Sequence, residues 1–417
     1  MKEVQGISSS DPDMIKGKGQ NANHINNFSP VEPLRVAILG SFPPLRALSS
    51  YCLELSLALS KLGKIEFISF KKIYPAFFYP GGDLRDDYSF PEIRHPNLKV
   101  WRRLTWYNPF SWIFEGLFRN ADILHLQWWS IPLIFVYLSV CIVFKLRKKT
   151  IVCTIHNIHQ HDRSALNDLL SRILYGLCDH FIVHSMENRK KLLGNNKIAP
   201  DKVTMIPHGA FDFLVDDNIS REEVRSGMGF NASNKVILLF GTIRPYKGID
   251  TSLKAFAKVI KKIPNARLII AGKLWEDWGP YESLIADLNI SEYMRTVLQY
   301  IPSEKVGKFF KTSDLVILPY HHFDAQSGVG ATAIAFHKPM IVTDTGGLPE
   351  LVLDPRNVVP PKDVDALANE IISCLRDSDR LDQMSKDAEK VATTISWSAI
   401  AEKTWSVYRK VLASKSV

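Results

Sequence analysis

Residues 236–250 read VILLFGTIRPYKGID, and the order of residue types in that stretch decides the fold. An apolar run of strand length ends in Gly241, a short loop carries Arg244 and Lys247, and a helical pattern opens near Asp250. Strand, glycine turn and helix in that order form the repeating unit of doubly wound α/β sheets. In such sheets ligands sit beyond the carboxyl ends of the strands. Two cations at that place would neutralise a diphosphate and stabilise it as a leaving group. A lone RxxK elsewhere would read as solvated loop charge.

Outward from this stretch the pattern recurs in both directions. Downstream, helix 250–262, strand 266–271, helix 280–288, strand 297–300, helix 303–311 and strand 315–318 are predicted. Helix 327–336, strand 340–343 and helices 363–376 and 379–393 follow. Upstream, strands are predicted over 34–40, 65–70, 123–126, 150–155 and 180–183, with a helix at 48–62 and others between the later strands. Strands alternating with helices predict parallel sheets covered on both faces. A chain of 417 residues exceeds one ordinary core. Two doubly wound, Rossmann-like domains are therefore expected, 32–212 and 213–395, joined near 209–216. Residues 396–417 form a last helix, with Ser396 as N-cap and Trp397, Ile400, Ala401, Thr404, Tyr408 and Val411 at helical spacing. Periodicity leaves open whether it packs on its own domain or crosses back to the first. Residues 1–31, rich in Ser, Asn, Gly and Asp, read as a disordered polar tail.

Composition sets further bounds. With 46% hydrophobic and 23% charged residues the chain is of globular type. Its five cysteines form no CxxC pair and no zinc spacing, so buried, reduced thiols are expected. The net charge of +9 lies wholly in residues 32–210, where 23 Lys and Arg face 14 Asp and Glu. That asymmetry points to an anionic partner for the first half, a membrane surface or a charged carrier. No nucleic-acid-binding motif accompanies the charge, so nucleic acid is not expected. The start lacks the basic and apolar regions of a signal peptide, which implies a cytoplasmic location. The 14-residue apolar run 131–144 is shorter than the about 20 residues a spanning helix needs and reads as a buried helix. The aromatic segment 106–118, WYNPFSWIFEGLF, suits a bilayer interface, and peripheral contact with the inner face of the cell membrane is the matching expectation.

A second informative stretch is 315–350, LVILPYHHFDAQSGVGATAIAFHKPMIVTDTGGLPE. The backbone N–H groups of Ser327, Gly328 and Val329 open a helix and form a natural anion site. Asp324, just before it, is placed to accept hydrogen bonds from sugar hydroxyls. In the first half, the loop SFPPLRALSSY after strand 34–40 is poor in glycine, and Arg46 is its candidate acceptor contact. His125, His156 and Asn157 stand at or near strand ends on the same side. A lone histidine is often a structural hydrogen-bonding partner, and the His-x-x-His-x-His run at 156–161 is not assigned to a metal.

The block GTIRPYKGID, the loop SGVGATAIAFHKPMIVTDTGGLPE, the segment MIPHG (205–209) and His156-Asn157 together resemble the family-four glycosyltransferases, over about residues 34–412. The resemblance implies the GT-B fold, two Rossmann-like domains facing across a cleft. It also implies a retaining transfer of sugar from a nucleotide-diphosphate donor to a glycan or lipid-linked acceptor, of the kind used in polysaccharide or glycolipid synthesis. In such enzymes the cations matching Arg244 and Lys247 grip the donor diphosphate. Residues matching His208 and Gly209 lie near the phosphates, and one matching His156 lies near the reacting centre. A Glu-x7-Glu pair binds sugar and ribose; here those positions hold Asp324, one methylene short, and Thr332, which is not an acid. Arg244, Lys247, His156 and Asp324 are thus the catalytic candidates. Gly241, Ser327, Gly328, Val329, Thr332, His208 and Gly209 complete the donor set. No cofactor and no metal are expected. A non-catalytic scaffold of the same fold and a nucleotide-sugar epimerase stay open as alternatives.

Overall fold

The computed structural model describes residues 34–45, 48–73, 95–156, 165–195, 198–215, 220–323 and 326–415. The first half carries strands β1 (Arg35–Leu39), β2 (Lys64–Lys72), β3 (Leu98–Thr105), β4 (Ile123–Trp128), β5 (Thr150–Ile155), β6 (His180–Val183) and β7 (Val203–Met205). They make a seven-stranded sheet in the order β3-β2-β1-β4-β5-β6-β7. The second half carries β8 (Lys235–Phe240), β9 (Ala266–Ala271), β10 (Met294–Val297), β11 (Leu315–Leu318), β12 (Met340–Thr343) and β13 (Val358–Val359). These form a six-stranded sheet in the order β10-β9-β8-β11-β12-β13. Every strand pair is parallel, with Val36 opposite Ile123 in one sheet and Ile237 opposite Leu315 in the other. In both, the strand order reverses beside the first strand, between β1 and β4 and between β8 and β11. Ligand-binding crevices open at such reversals.

The central strands are apolar on both faces because helices cover both. Strands β4 and β5 are buried at every residue. The period-2 alternation of a strand sends Val36 and Ile38 to one face and Ala37 and Leu39 to the other. Helices α1 (Ser49–Ser60) and α13 (Trp397–Ala413) pack on the first of these faces. Helices α2 (Pro109–Phe118), α3 (Ile134–Leu146), α4 (Ala165–Leu177) and α5 (Met186–Asn195) follow β3, β4, β5 and β6 in turn. Trp112, the buried side of α3, Leu174 and Leu192 pack on the second face. In the second half α6 (Arg221–Gly227), α7 (Ile249–Ile260), α8 (Gly279–Asp287), α9 (Ser303–Thr312), α10 (Gly328–Ala335), α11 (Val364–Arg376) and α12 (Ser378–Thr394) complete the layers. All five cysteines are buried and unpaired.

Helix α13 crosses to the first half, the alternative that periodicity left open. Ser396 caps it by accepting from Ala399 N at 3.3 Å. Trp397, Ile400, Val407, Tyr408 and Val411 join the core of α1 and the first sheet. Burial of an apolar side chain of this size contributes about 1.5–3 kcal/mol, so the helix is held firmly. Two glycines make room for its tryptophans. A Cβ on Gly209 would stand 2.5 Å from the Trp397 ring, and one on Gly63 would stand 2.2 Å from Trp405.

Some expectations shift. The strand expected at 297–300 lies at Met294–Val297, because pairing with β9 runs from Met294–Leu268 to Val297–Ala271. Strands β3, β7 and β13 were not foreseen; β3 is a half-exposed edge strand carrying Arg102 and Arg103 instead of an apolar run. The predicted polar tail lies outside the described residues. Among the described residues no helix is long and apolar enough to cross a membrane, and the run 131–144 folds as a short 3-10 turn followed by α3.

Candidate active site

The crevice of the second sheet lies where β8 and β11 part. Beyond β8 the chain turns at Gly241, whose φ of +103° belongs to glycine, and a Cβ there would also meet Val329 at 2.9 Å. The loop then presents Arg244 and, in a single 3-10 turn, Lys247. The Arg244 guanidinium lies 4.0 Å over the Trp275 ring, and the Lys247 ammonium 4.0 Å over the Tyr320 ring. Lys247 is buried and donates to the Tyr320 hydroxyl. Tyr320 OH lies 3.2 Å from Ser327 Oγ, and Ser327 caps α10 by accepting from Gly330 N at 3.3 Å. Among the described residues no carboxylate pairs with either cation. Burial, reinforced by Arg244, pushes the Lys247 ammonium down to about 7. An anion placed against it would reverse that shift.

These groups line a cleft of about 480 Å³ that draws on both halves. Ser50 and Phe211 come from one side, and Leu214, Gly241, Arg244, Lys247, Gly328, Val329 and Thr332 from the other. A larger hollow, about 660 Å³, lies at the opposite ends of the strands, by Lys235 and Asp314. There Arg221 and Arg225 share Asp314 as a carboxylate partner. The cleft whose cations have no carboxylate partner among the described residues is the one suited to an anion.

The facing wall is built from β4, from the segments after β5, β6 and β7, and from Tyr51 of α1. His156 Nε2 lies 2.9 Å from the Gln127 amide, and His156 Nδ1 lies 3.2 Å from His184 Nε2. The Ile206 carbonyl can only accept, so neutral His184 carries its proton on Nδ1, 2.9 Å away. His208 Nδ1 donates to Gly209 O at 2.8 Å. Tyr51 packs edge-on against His156, His184, His208 and Trp397, with ring centroids 4.8–5.3 Å apart. Burial lowers all three histidines: His156 well below the usual range, His184 to about 4 and His208 to about 3. At neutral pH they are uncharged.

The structure thus gathers Gly241, Arg244, Lys247, Ser327, Gly328, Val329 and Thr332 around one cleft. His208 and Gly209 lie at the crossing between halves, where Gln326 accepts from His208 N. One expectation is corrected. His125 is not on the acceptor wall: it is fully buried, with Tyr408 OH at 2.6 Å and Thr154 Oγ1 at 2.7 Å on its two nitrogens. His156 is buried with both ring nitrogens engaged, by Gln127 and His184. Thr332 lines the cleft, yet its hydroxyl donates to Gly328 O at 2.9 Å within α10. Arg46, Asn157 and Asp324 lie outside the described residues. Sequence reasoning missed Tyr51, Gln127, Trp275 and Tyr320. Of these Gln127, at the end of β4, and Tyr320, two residues past β11, sat where a strand-end rule would have found them.

Two parallel, doubly wound lobes with an anion-seeking cleft between them define a two-lobed transferase architecture of the GT-B type. A family model described as Glycosyl transferases group 1 matches residues 220–391, and one described as Glycosyltransferase Family 4 matches residues 48–210. The chain belongs to the family-four glycosyltransferases. It is 28% identical over 252 residues to a D-inositol 3-phosphate glycosyltransferase of Corynebacterium glutamicum, covering 57% of this chain and 59% of that one. The match thus spans about six-tenths of that relative's length. Among solved structures, sucrose-phosphate synthase of Thermosynechococcus elongatus superposes with a TM-score of 0.70 at 18% identity, covering 91% of this chain and all of that one. HepE of Anabaena, solved with UDP and glucose, gives 0.67 at 15% identity, covering 90% of this chain and all of that one. Both likenesses establish the GT-B fold.

Proposed function

We propose that the protein transfers a hexose, with retention of anomeric configuration, from a nucleotide-diphosphate sugar to a glycan or lipid-linked acceptor. The carrying observation is the Lys247–Tyr320–Ser327 chain beside Arg244: two cations with no carboxylate partner among the described residues meet the start of α10 at the switch point of the second sheet. The resident cations supply the neutralisation that a metal ion gives in other transferases, and the reaction is proposed to run without one. Leaving-group charge develops against Arg244, Lys247 and the α10 amides, and the departing phosphate takes the proton of the attacking acceptor hydroxyl. The neutral histidine wall with Tyr51 orients the acceptor side. The relationship to D-inositol 3-phosphate glycosyltransferases, and the UDP and glucose held by HepE, support the same substrate class.

A thermal-shift panel of nucleoside diphosphates tests the donor claim. One base is expected to raise Tm by mass action, with the rise abolished in Arg244→Ala. A panel with no response overturns the proposal. Turnover that survives a chelator is expected, and its loss would overturn metal independence.

A further inference from the structure

Helix α2 is built inside out. Phe110, Ile113, Phe114, Leu117 and Phe118 follow the i, i+3, i+4, i+7, i+8 spacing of a single apolar stripe, and all are exposed, Phe110 by 83% and Phe118 by 63%. The opposite face holds a charged group against the protein: Glu115 is fully buried and pairs with Arg119 at 3.2 Å, and Arg119 reaches on to Glu66 at 3.2 Å. Burying an ion pair while leaving five large apolar side chains in water is unfavourable on both counts. The arrangement makes sense where the stripe meets an apolar phase.

The stripe continues onto the neighbouring helices. Gly116 presses against Val143 of α3, whose Cβ lies 2.8 Å from where a glycine Cβ would stand. Phe135, Ile142 and Leu146 of α3, and Leu166, Leu169 and Ile173 of α4, are also exposed. Trp106 and Tyr107, both exposed, stand just ahead of α2. Residues 98–149 hold eight Lys and Arg against two acids. Both acids are engaged, Glu115 by Arg119 and Asp122 by Lys149 at 3.5 Å. Exposed cations lie within or beside the stripe: Arg103 5.9 Å from the Phe114 ring centroid, Lys148 just past α3, and Arg172 next to Ile173.

We propose that the outward face of α2, α3 and α4 docks on an anionic lipid bilayer. The apolar side chains enter the boundary between headgroups and acyl chains, Trp106 and Tyr107 sit at headgroup level, and the cations meet lipid phosphates. A second copy fits less well, because a two-fold contact sets the same basic patch against itself. The proposal does not rest on the glycosyltransferase reading.

Sedimentation of the full chain with vesicles tests it, using phosphatidylcholine alone or mixed with phosphatidylglycerol. Binding is expected to the mixed vesicles and to weaken with salt. Ile113→Ser, Phe114→Ser, Leu117→Ser and Phe118→Ser combined should lower partitioning about tenfold or more. Arg103→Gln and Lys148→Gln should each lower it about fivefold, from about 1 kcal/mol per cation near such a surface. All six positions are exposed, so Tm and the nucleoside-diphosphate shift of the variants should match the parent, which separates this test from that of the donor site. A parent protein that stays in the supernatant with both vesicles overturns the proposal. So does a serine variant that sediments like the parent, or light scattering that shows a parent dimer which the serine variant splits.

Discussion

The two sheets have the same topology, and their switch points carry opposite chemistry. Beyond β8 and β11 stand two cations, both over aromatic rings, with a positive-φ glycine and a helix start beside them. Past the ends of β5, β6 and β7 stand three uncharged histidines, with Gln127 at the end of β4 and the Tyr51 ring of α1 beside them. One crevice is organised around charge and the other around shape and neutral hydrogen bonds. A fold that repeats itself thus separates the step that needs an electrostatic partner from the step that needs an orienting surface.

The widest expected break in that comparison comes from the charged side. Lys247→Ala or Arg244→Ala should each lower turnover about 100- to 1000-fold, measured as donor consumption, because each removes a group aimed at developing negative charge. The two losses should also diverge from stability. The Lys247 ammonium titrates near 7 in the folded protein, below the unfolded value of 10.5. The folded state therefore binds fewer protons than the unfolded between those limits, and its stability rises with pH across that window. The penalty is fully present below pH 7. Lys247→Met removes it, and should melt higher than the parent at pH 6–7 while losing turnover. A lower Tm for that variant would show that Lys247 holds the loop together instead of waiting for an anion.

The next effect is structural and concerns the seam between lobes. Gly209→Ala pushes a methyl group into Trp397 and should destabilise by about 1–3 kcal/mol, seen as a fall in Tm. An unchanged Tm would mean that Trp397 can leave Tyr51 without loss.

Much of this contrast was legible in the chain, for identifiable reasons. The charged crevice is read from local order, since strand, Gly241, cation and helix lie within residues 236–250. The six foreseen second-half helices from α7 to α12 follow strong periodicity. The histidine wall is long-range: His156, His184 and His208 meet Tyr51 and Trp397 only because β5, β6, α1 and α13 converge. Nothing in the spacing of those residues announces that contact. His125 shows the same limit from the other side, since a buried histidine bound to Tyr408, 283 positions away, looks in sequence like a strand-end candidate.

A smaller, roughly tenfold, effect distinguishes the crevices by pH. An anionic donor favours the charged form of Lys247, so donor affinity should be greatest below pH 7. It should fall by up to about tenfold per unit above it until the pKa of the complex is reached, with proton uptake on binding. Calorimetry in buffers of different ionisation enthalpy measures that uptake. His156→Gln should leave this profile in place, because the histidines are neutral across the range. A profile that moves with His156 would merge the two crevices into one electrostatic unit.

The smallest effect is expected at Thr332, where the relatives' motif would place an acid. Its side chain lines the cleft, but the hydroxyl is committed to Gly328 O one turn back in α10. A hydroxyl engaged there offers the donor little beyond its methyl surface. Thr332→Val keeps that surface and should change donor affinity by no more than about threefold, measured by titration calorimetry. A tenfold loss would mean that the hydroxyl leaves the helix to meet the ribose, and that α10 contributes a side chain as well as its amide dipoles to the donor grip.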